Sequence, residues 1–159
     1  MENNLTILNK EGNPLYTNIQ EYRKLLDTQP SAKWIKTNKY SQNAKYLPIR
    51  VVEQLLSKMF PFWQVEQHGE PKILGNSIII SVHLKVYHPI LEDWLTYAGV
   101  GAVPIEVERG ASPIEFDKIN AKALHKNVPS AMSFAVSNAS KKIGRLFGSH
   151  LNNDLNEII

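Results

Sequence analysis

The sequence predicts an α+β domain: a three-stranded antiparallel β-meander packed against a long C-terminal α-helix, with one or two helices ahead of the sheet. Three observations carry this. From Ser77 to Tyr87 the pattern has a period of two, with Ile78, Ile80, Val82, Leu84 and Val86 on one face and Ser77, Ile79, Ser81, His83, Lys85 and Tyr87 on the other. From Ser130 to Gly148 the period is helical: Met132, Val136, Ala139, Ile143 and Phe147 recur at steps of three or four. Turn signals, His68-Gly69-Glu70-Pro71, Gly75-Asn76 and His88 to Asp93, separate the strands by short connections, as a meander requires.

Each element has its own local warrant. Thr17-Asn18-Ile19-Gln20 reads as a capping box that opens a short helix, with Ile19, Tyr22, Leu25 and Leu26 on its apolar side. Gln29 to Lys45 is polar and basic, with Lys33, Lys36, Lys39 and Lys45 interleaved with Trp34, Ile35 and Tyr40, and reads as a linker or arm. Pro48 stands near the first turn of a second helix, whose packed face is Ile49, Val52, Leu55, Leu56 and Met59 and which ends before Pro61. Phe62 to His68 is the first strand of the meander, and Trp94 to Val103 the third, with the small-residue run Tyr97-Ala98-Gly99-Val100-Gly101-Ala102 at its middle. The glycines there let backbones approach closely or a strand bend. Between Pro104 and Asn127 the pattern is irregular, with a helical stretch expected over Pro113 to Leu124. The tail, Leu151 to Ile159, reads as a short helix or an oligomer contact.

Composition limits the functions open to the chain. Its 159 residues suffice for one domain with a real core, and 43% hydrophobic against 21% charged residues suits a globular protein. The net charge of +3 permits a polyanionic partner without requiring one. No cysteine is present, so disulfides, thiol catalysis and cysteine-based zinc sites are excluded. No apolar run approaches membrane-spanning length, and MENNLTILNKEG is not a signal peptide, so a cytoplasmic protein without membrane contact is expected.

Motif chemistry is sparse. There is no phosphate-binding glycine loop before Lys-Ser or Lys-Thr. Gly99-Val100-Gly101 has no helix after it, so it is not a dinucleotide fingerprint. His68, His83, His88, His125 and His150 are scattered, with no metal-ligand spacing. Glu92, Asp93, Glu106, Glu108, Glu115 and Asp117 leave two readings open: divalent-ion ligands of a nuclease, or a solvated acidic loop. Lys141 and Arg145 are four apart on the side of the last helix that carries Phe134, Ser137 and Asn138, with Lys142 beside them. These cations are either a backbone clamp for a polyanion or the ordinary complement of a helix C-terminus. Phe147, on the apolar stripe, is expected in the core, and Ala139 and Gly144 let the helix approach the sheet.

Three segments together resemble one family, the Rad-fifty-two recombination mediators and their phage-encoded single-strand annealing relatives. The first is Tyr46-Leu47-Pro48-Ile49-Arg50-Val51-Val52, continuing through Leu55, Met59, Phe60 and Trp63. The second is Tyr97-Ala98-Gly99-Val100-Gly101, and the third runs from Ala135 through Lys141, Lys142, Arg145, Phe147 and Gly148. The resemblance covers residues 46 to 148; the segment from Pro104 to Asn127 is longer than the family's, and the region before Tyr46 matches loosely. It divides the chain into an N-terminal helix and basic arm (1–45), an annealing core (46–150) and a tail (151–159).

The resemblance implies a non-enzymatic, ATP-independent binder of single-stranded DNA that anneals complementary strands in recombination and repair. It implies a homo-oligomeric ring or filament, in which one subunit's sheet continues beside the next, with a single-strand binding protein as a further partner. Arg50, Lys141, Lys142 and Arg145 take the positions that hold the DNA backbone, and Phe62 that of an aromatic close to the DNA. No cofactor and no metal are implied, and no nucleotide hydrolysis is needed, because base pairing supplies about 1.4 kcal/mol per step. Phosphate contacts suit such a task, since they hold a strand without reading it. Arg50 adds a physical hint: near the start of its helix a cation opposes the helix dipole, which suggests a role other than capping, against the plain reading of an exposed arginine. The alternatives are a metal-dependent nuclease and a non-catalytic structural or interaction domain.

Overall fold

The computed structural model describes residues 7–39 and 41–153. It is an α+β structure in which a long helix packs on an antiparallel sheet. The elements are α1 (Ile19–Leu26), β1 (Lys36–Asn38), β2 (Ala44–Tyr46), α2 (Ile49–Met59), β3 (Trp63–Gln67), β4 (Lys72–Leu74), β5 (Ser77–His88), β6 (Asp93–Pro104) and α3 (Ala123–Ser140). Short 3-10 turns occupy Ala32–Trp34, Phe116–Lys118 and Arg145–Phe147.

Strand β5 is the axis of the sheet. It pairs with β6 along its full length, from Ser77↔Pro104 to His88↔Asp93. On its other side β3 and β4 lie end to end, at Trp63↔Val86 through Gln67↔Val82 and at Lys72↔Ile79 through Leu74↔Ser77. The expected three-stranded meander is therefore present, with its first strand interrupted at 68–71. Lys72–Leu74, which the turn signals around it concealed, resumes the pairing. The alternation in β5 sorts its side chains as the sequence predicts: Ile78, Ile80, Val82, Leu84 and Val86 are buried, and the intervening residues are half-buried on the face away from α3.

Helix α3 lies directly on β6. Gly99 pairs with Val82 and Gly101 with Ile80. A Cβ on Gly99 would run into the backbone of Ala135 and Ala139, and one on Gly101 into that of Ala131 and Ala135. Two glycines on the strand and three alanines at four-residue spacing on the helix thus bring the backbones together. Side chains of α3 and of the turn after it also reach the outer edge of β6. Asn127 Nδ2 donates to the Pro104 carbonyl (2.7 Å), Asn138 Nδ2 to that of Val100 (2.9 Å) and Lys142 Nζ to that of Ala98 (2.6 Å). Acceptors that would invite another strand are occupied by the protein's own helix and the turn after it.

Several expected boundaries move. The helix expected over 130–148 runs instead from Ala123 to Ser140, through Pro129. Its first turns are retained despite the proline because Ala123 and Asn127 are buried there, and Asn127 holds Pro104. After Ser140 the chain leaves the helix through a turn, passes Gly144 in extended conformation and forms the separate 3-10 turn, closed by left-handed Gly148 (φ 86°). Gly144 faces Leu26 of α1 rather than the sheet. Of the helical stretch expected over Pro113 to Leu124, only Ala123 and Leu124 are α-helical, as the start of α3; the rest is a loop tied by Glu108 N to Lys118 O and Asn120 N to Glu106 O, with Phe116–Lys118 in a 3-10 turn.

The cap of α1 lies one residue later than read: Asn18 Oδ1 accepts from the amides of Gln20 and Glu21, and Glu21 reaches back to Thr17. The residues read as a linker or arm contain the β1–β2 hairpin. Its turn carries neither glycine nor proline, and the positive φ values fall on Gln42 (47°) and Asn43 (57°), so the usual signal is missing. Tyr16, Tyr22 and Leu26 belong to the same core as Phe60, Val82 and Phe147, so packing is continuous across residue 45.

Candidate functional site

The hairpin stands beside the exposed side of α3, and a groove runs between them. Its wider part encloses about 530 Å3 and is lined by Thr37, Asn38, Lys39, Ser41, Ala44, Tyr46 and Phe134. A narrow recess continues from it, with Ser137 and Asn138 from α3, Lys141 just past its end, and Leu47, Val52 and Phe147 behind them. Tyr46 and Phe134 line both parts.

Each lining residue is placed by a local cause. Tyr46 is the last residue of β2, two residues before Pro48, whose extended conformation turns the chain into α2. Phe134, Ser137, Asn138 and Lys141 follow steps of three and four along α3, opposite the alanines that pack on β6. Asn138 is fixed through its Nδ2 on Val100, and its Oδ1 then accepts from Lys141 Nζ at 3.3 Å. The Lys141 ammonium is thereby held toward the groove with donors to spare.

The chemistry of this groove is distinctive. Its charged lining residues are two lysines, Lys39 and Lys141, and no carboxylate lines it among the described residues. Tyr46 is 41% exposed and Phe134 50% exposed, so two rings meet solvent inside a positive cleft. Cations, amide side chains and exposed rings form a surface that can hold phosphates and stack planar groups.

The residues singled out in the sequence separate in space. Lys141 lines the groove. Arg50 is exposed in the first turn of α2, two residues before Val52 of the recess, with no ion-pair partner among the described residues. Lys142 is turned to the β6 edge, where it holds Ala98. Arg145, beyond the end of α3, lies 3.5 Å from Asp27 at the C-terminus of α1. Lys141 and Arg145 therefore do not share a helix face, because the helix that would align them ends at Ser140. Phe62 lies on the sheet face away from α3, edge to face with Tyr87, which in turn meets Trp94.

Sequence reasoning missed Lys39 and Tyr46 as site residues and had Phe134 and Asn138 only as neighbours of Lys141. The signal for the hairpin side was the interleaving of lysines with aromatics over 33–46. In the acidic segment, Glu106 pairs with Lys126 at 2.7 Å and Glu115 with Lys118 at 3.0 Å. The Ser112 amide and Lys118 also hold the Glu115 carboxyl below its ordinary pKa. Among the described residues no three His, Asp or Glu side chains are grouped to hold a metal ion, and no helix is long and apolar enough to cross a membrane.

Comparison with protein-family models and with curated proteins finds no match for this chain.

Proposed function

We propose that this protein binds single-stranded DNA in the groove between the β1–β2 hairpin and α3, and that it anneals complementary strands without nucleotide hydrolysis. The observation that carries this reading is the pairing of two exposed rings, Tyr46 and Phe134, with two lysines, Lys39 and Lys141, in one cleft free of carboxylates among the described residues. Lysines bind phosphates irrespective of sequence, and rings accept any base. An annealing protein needs both properties, since it must hold a strand without selecting it. The resemblance of residues 46–148 to single-strand annealing proteins supports the same reading.

The reading includes a homo-oligomer, because contacts this weak gain avidity when repeated along one strand. Helix α3 and the turn after it cap carbonyls along the β6 edge, whereas β3 and β4 have β5 as their only strand neighbour among the described residues. The β3–β4 edge is thus the better candidate for contact with a second copy.

The test is annealing of labelled complementary oligonucleotides, with chelator present and ATP absent. Faster annealing than the protein-free reaction is expected. Unchanged annealing, together with no binding to single strands at low salt, would remove the proposal. Strand degradation on adding magnesium would replace it with a nuclease.

A further inference from the structure

In the hairpin that forms one wall of the groove, one surface residue from the far end of the chain holds the backbone of β2. Strand β2 pairs with β1 at Asn38↔Ala44, Thr37↔Lys45 and Lys36↔Tyr46. The backbone of Lys45 is turned away from that pairing. Its N–H donates to Asn152 Oδ1 (2.7 Å), and its carbonyl accepts from Asn152 Nδ2 (2.8 Å). A single side-chain amide thus imitates one residue of a neighbouring strand, satisfying both polar groups of Lys45 across 107 positions of sequence.

The chain is bent to deliver that amide. Gly148 has φ 86°, and the turn after it is closed by Leu151 N to Gly148 O and Asn153 N to His150 O. Around Gly148, the side chains of Leu151 and Leu47 come close enough that an added Cβ would meet both. Leu151 and Asn152 therefore dock beside Leu47 and Lys45, on the segment that leads from the hairpin into α2. The part of the tail within the described residues is a clasp on its own chain, and residues 154–159 lie outside them.

We infer that Asn152 is the positioning residue of the groove: its two-point clasp on Lys45 fixes the β1–β2 hairpin against the body, and so sets Lys39 and Tyr46 opposite Phe134 and Lys141. Asn152 is exposed and lines no part of the groove. It acts through the hairpin and not by touching a strand. The functional half of this inference rests on the single-strand reading above; the clasp itself does not.

The two halves separate experimentally. Asn152→Ala removes both hydrogen bonds. Asn152→Asp keeps the size and the acceptor but sets a carboxylate against the Lys45 carbonyl. In the free protein, amide hydrogen exchange at Lys45 is expected to quicken at least tenfold in Asn152→Ala, and less in Asn152→Asp, which keeps the acceptor of that N–H. Tryptic cleavage after Lys36, Lys39 or Lys45 should quicken likewise, with the thermal midpoint within a few degrees of wild type. Binding to a labelled oligothymidine should weaken three- to tenfold. A merely structural role would lower the midpoint without selective exposure of the hairpin. If Lys45 exchange and hairpin cleavage match wild type, the clasp is overturned. If the hairpin loosens but oligothymidine affinity holds, while Lys141→Ala lowers it, the positioning role falls and the binding reading stands. If wild-type protein does not bind oligothymidine, the binding reading falls and takes the positioning role with it.

Discussion

Lys142 Nζ sits 2.6 Å from the carbonyl oxygen of Ala98, on the outer edge of β6, while its sequence neighbour Lys141 lies in the groove beside Asn138. Two adjacent lysines, indistinguishable by charge, have different surroundings. Substituting each should therefore change different observables. Lys142→Met is expected to cost about 0.5–1.5 kcal/mol, the net value of one hydrogen bond, and to leave single-strand affinity within twofold. Lys141→Met should do the reverse. Urea unfolding and fluorescence anisotropy with a labelled oligonucleotide, run on both variants, check the separation; equal loss of affinity in the two would contradict it.

The groove rings and cations should contribute differently to binding. Tyr46→Ala and Phe134→Ala are each expected to weaken single-strand affinity by about 1–3 kcal/mol, with little change in its salt dependence. Lys39→Ala with Lys141→Ala should instead flatten the plot of log affinity against log salt, by about 0.7 for each phosphate no longer neutralised. Titrations between low and moderate salt distinguish the two effects. A slope unchanged in the double variant would place the phosphates elsewhere.

Contact between β6 and α3 leaves no room for a side chain at Gly99 or Gly101. Gly99→Ala should force helix and strand apart and cost about 3 kcal/mol, at the upper end for overpacking. Ser81→Ala, on the half-buried face of β5, serves as a control and should stay near wild type. Thermal unfolding of the two variants is the measurement.

His88 makes stability depend on pH. It is fully buried, and its Nδ1 accepts from the amides of Ile90 (3.2 Å) and Leu91 (3.3 Å), which requires the neutral ring. Tyr22 meets the ring edge to face at 4.3 Å, and Tyr16 lies at 6.3 Å. Burial lowers the His88 pKa from its ordinary 6.5 and raises those of Tyr22 and Tyr16, the latter to about 12, so neither tyrosine supplies a charge near neutrality. The unfolded chain then takes up its proton near pH 6.5 while the folded chain does not. This contribution to stability is complete above pH 6.5 and is lost as pH falls below it, by up to about 1.4 kcal/mol per unit. Asn at this position retains an acceptor for the two amides, so His88→Asn should flatten the dependence between pH 7.5 and 5.5 in urea titrations. An equal slope in both proteins would assign the effect to other groups.

The elements that the sequence determined by itself are those whose signal is local. In β5 the alternation appears because successive side chains point to opposite faces and only one face is covered. Val52, Leu55, Leu56 and Met59 recur because one side of α2 is buried. The face shared by Phe134, Ser137, Asn138 and Lys141 was legible for the same reason, and it is one wall of the groove. Gly99 and Gly101 were recognisable as points of close backbone approach, though not as partners of particular alanines.

Only the tertiary structure decided where that helix stops and what stands opposite it. The stripe continues in period past Ser140 through Ile143 and Phe147, and both are buried, so apolar spacing cannot reveal that the backbone between them has left the helix. That exit sends Lys142 to Ala98 and Arg145 to Asp27. The hairpin was hidden because its turn uses Gln42 and Asn43 at positive φ and its short strands have little apolar pattern. Its place is set by the amide of Asn152, bonding the backbone of Lys45, and a backbone group carries no residue-specific signal in the sequence. Periodicity reports which side of an element is buried; it does not report which distant backbone a polar side chain will find, and in this protein such contacts shape the groove.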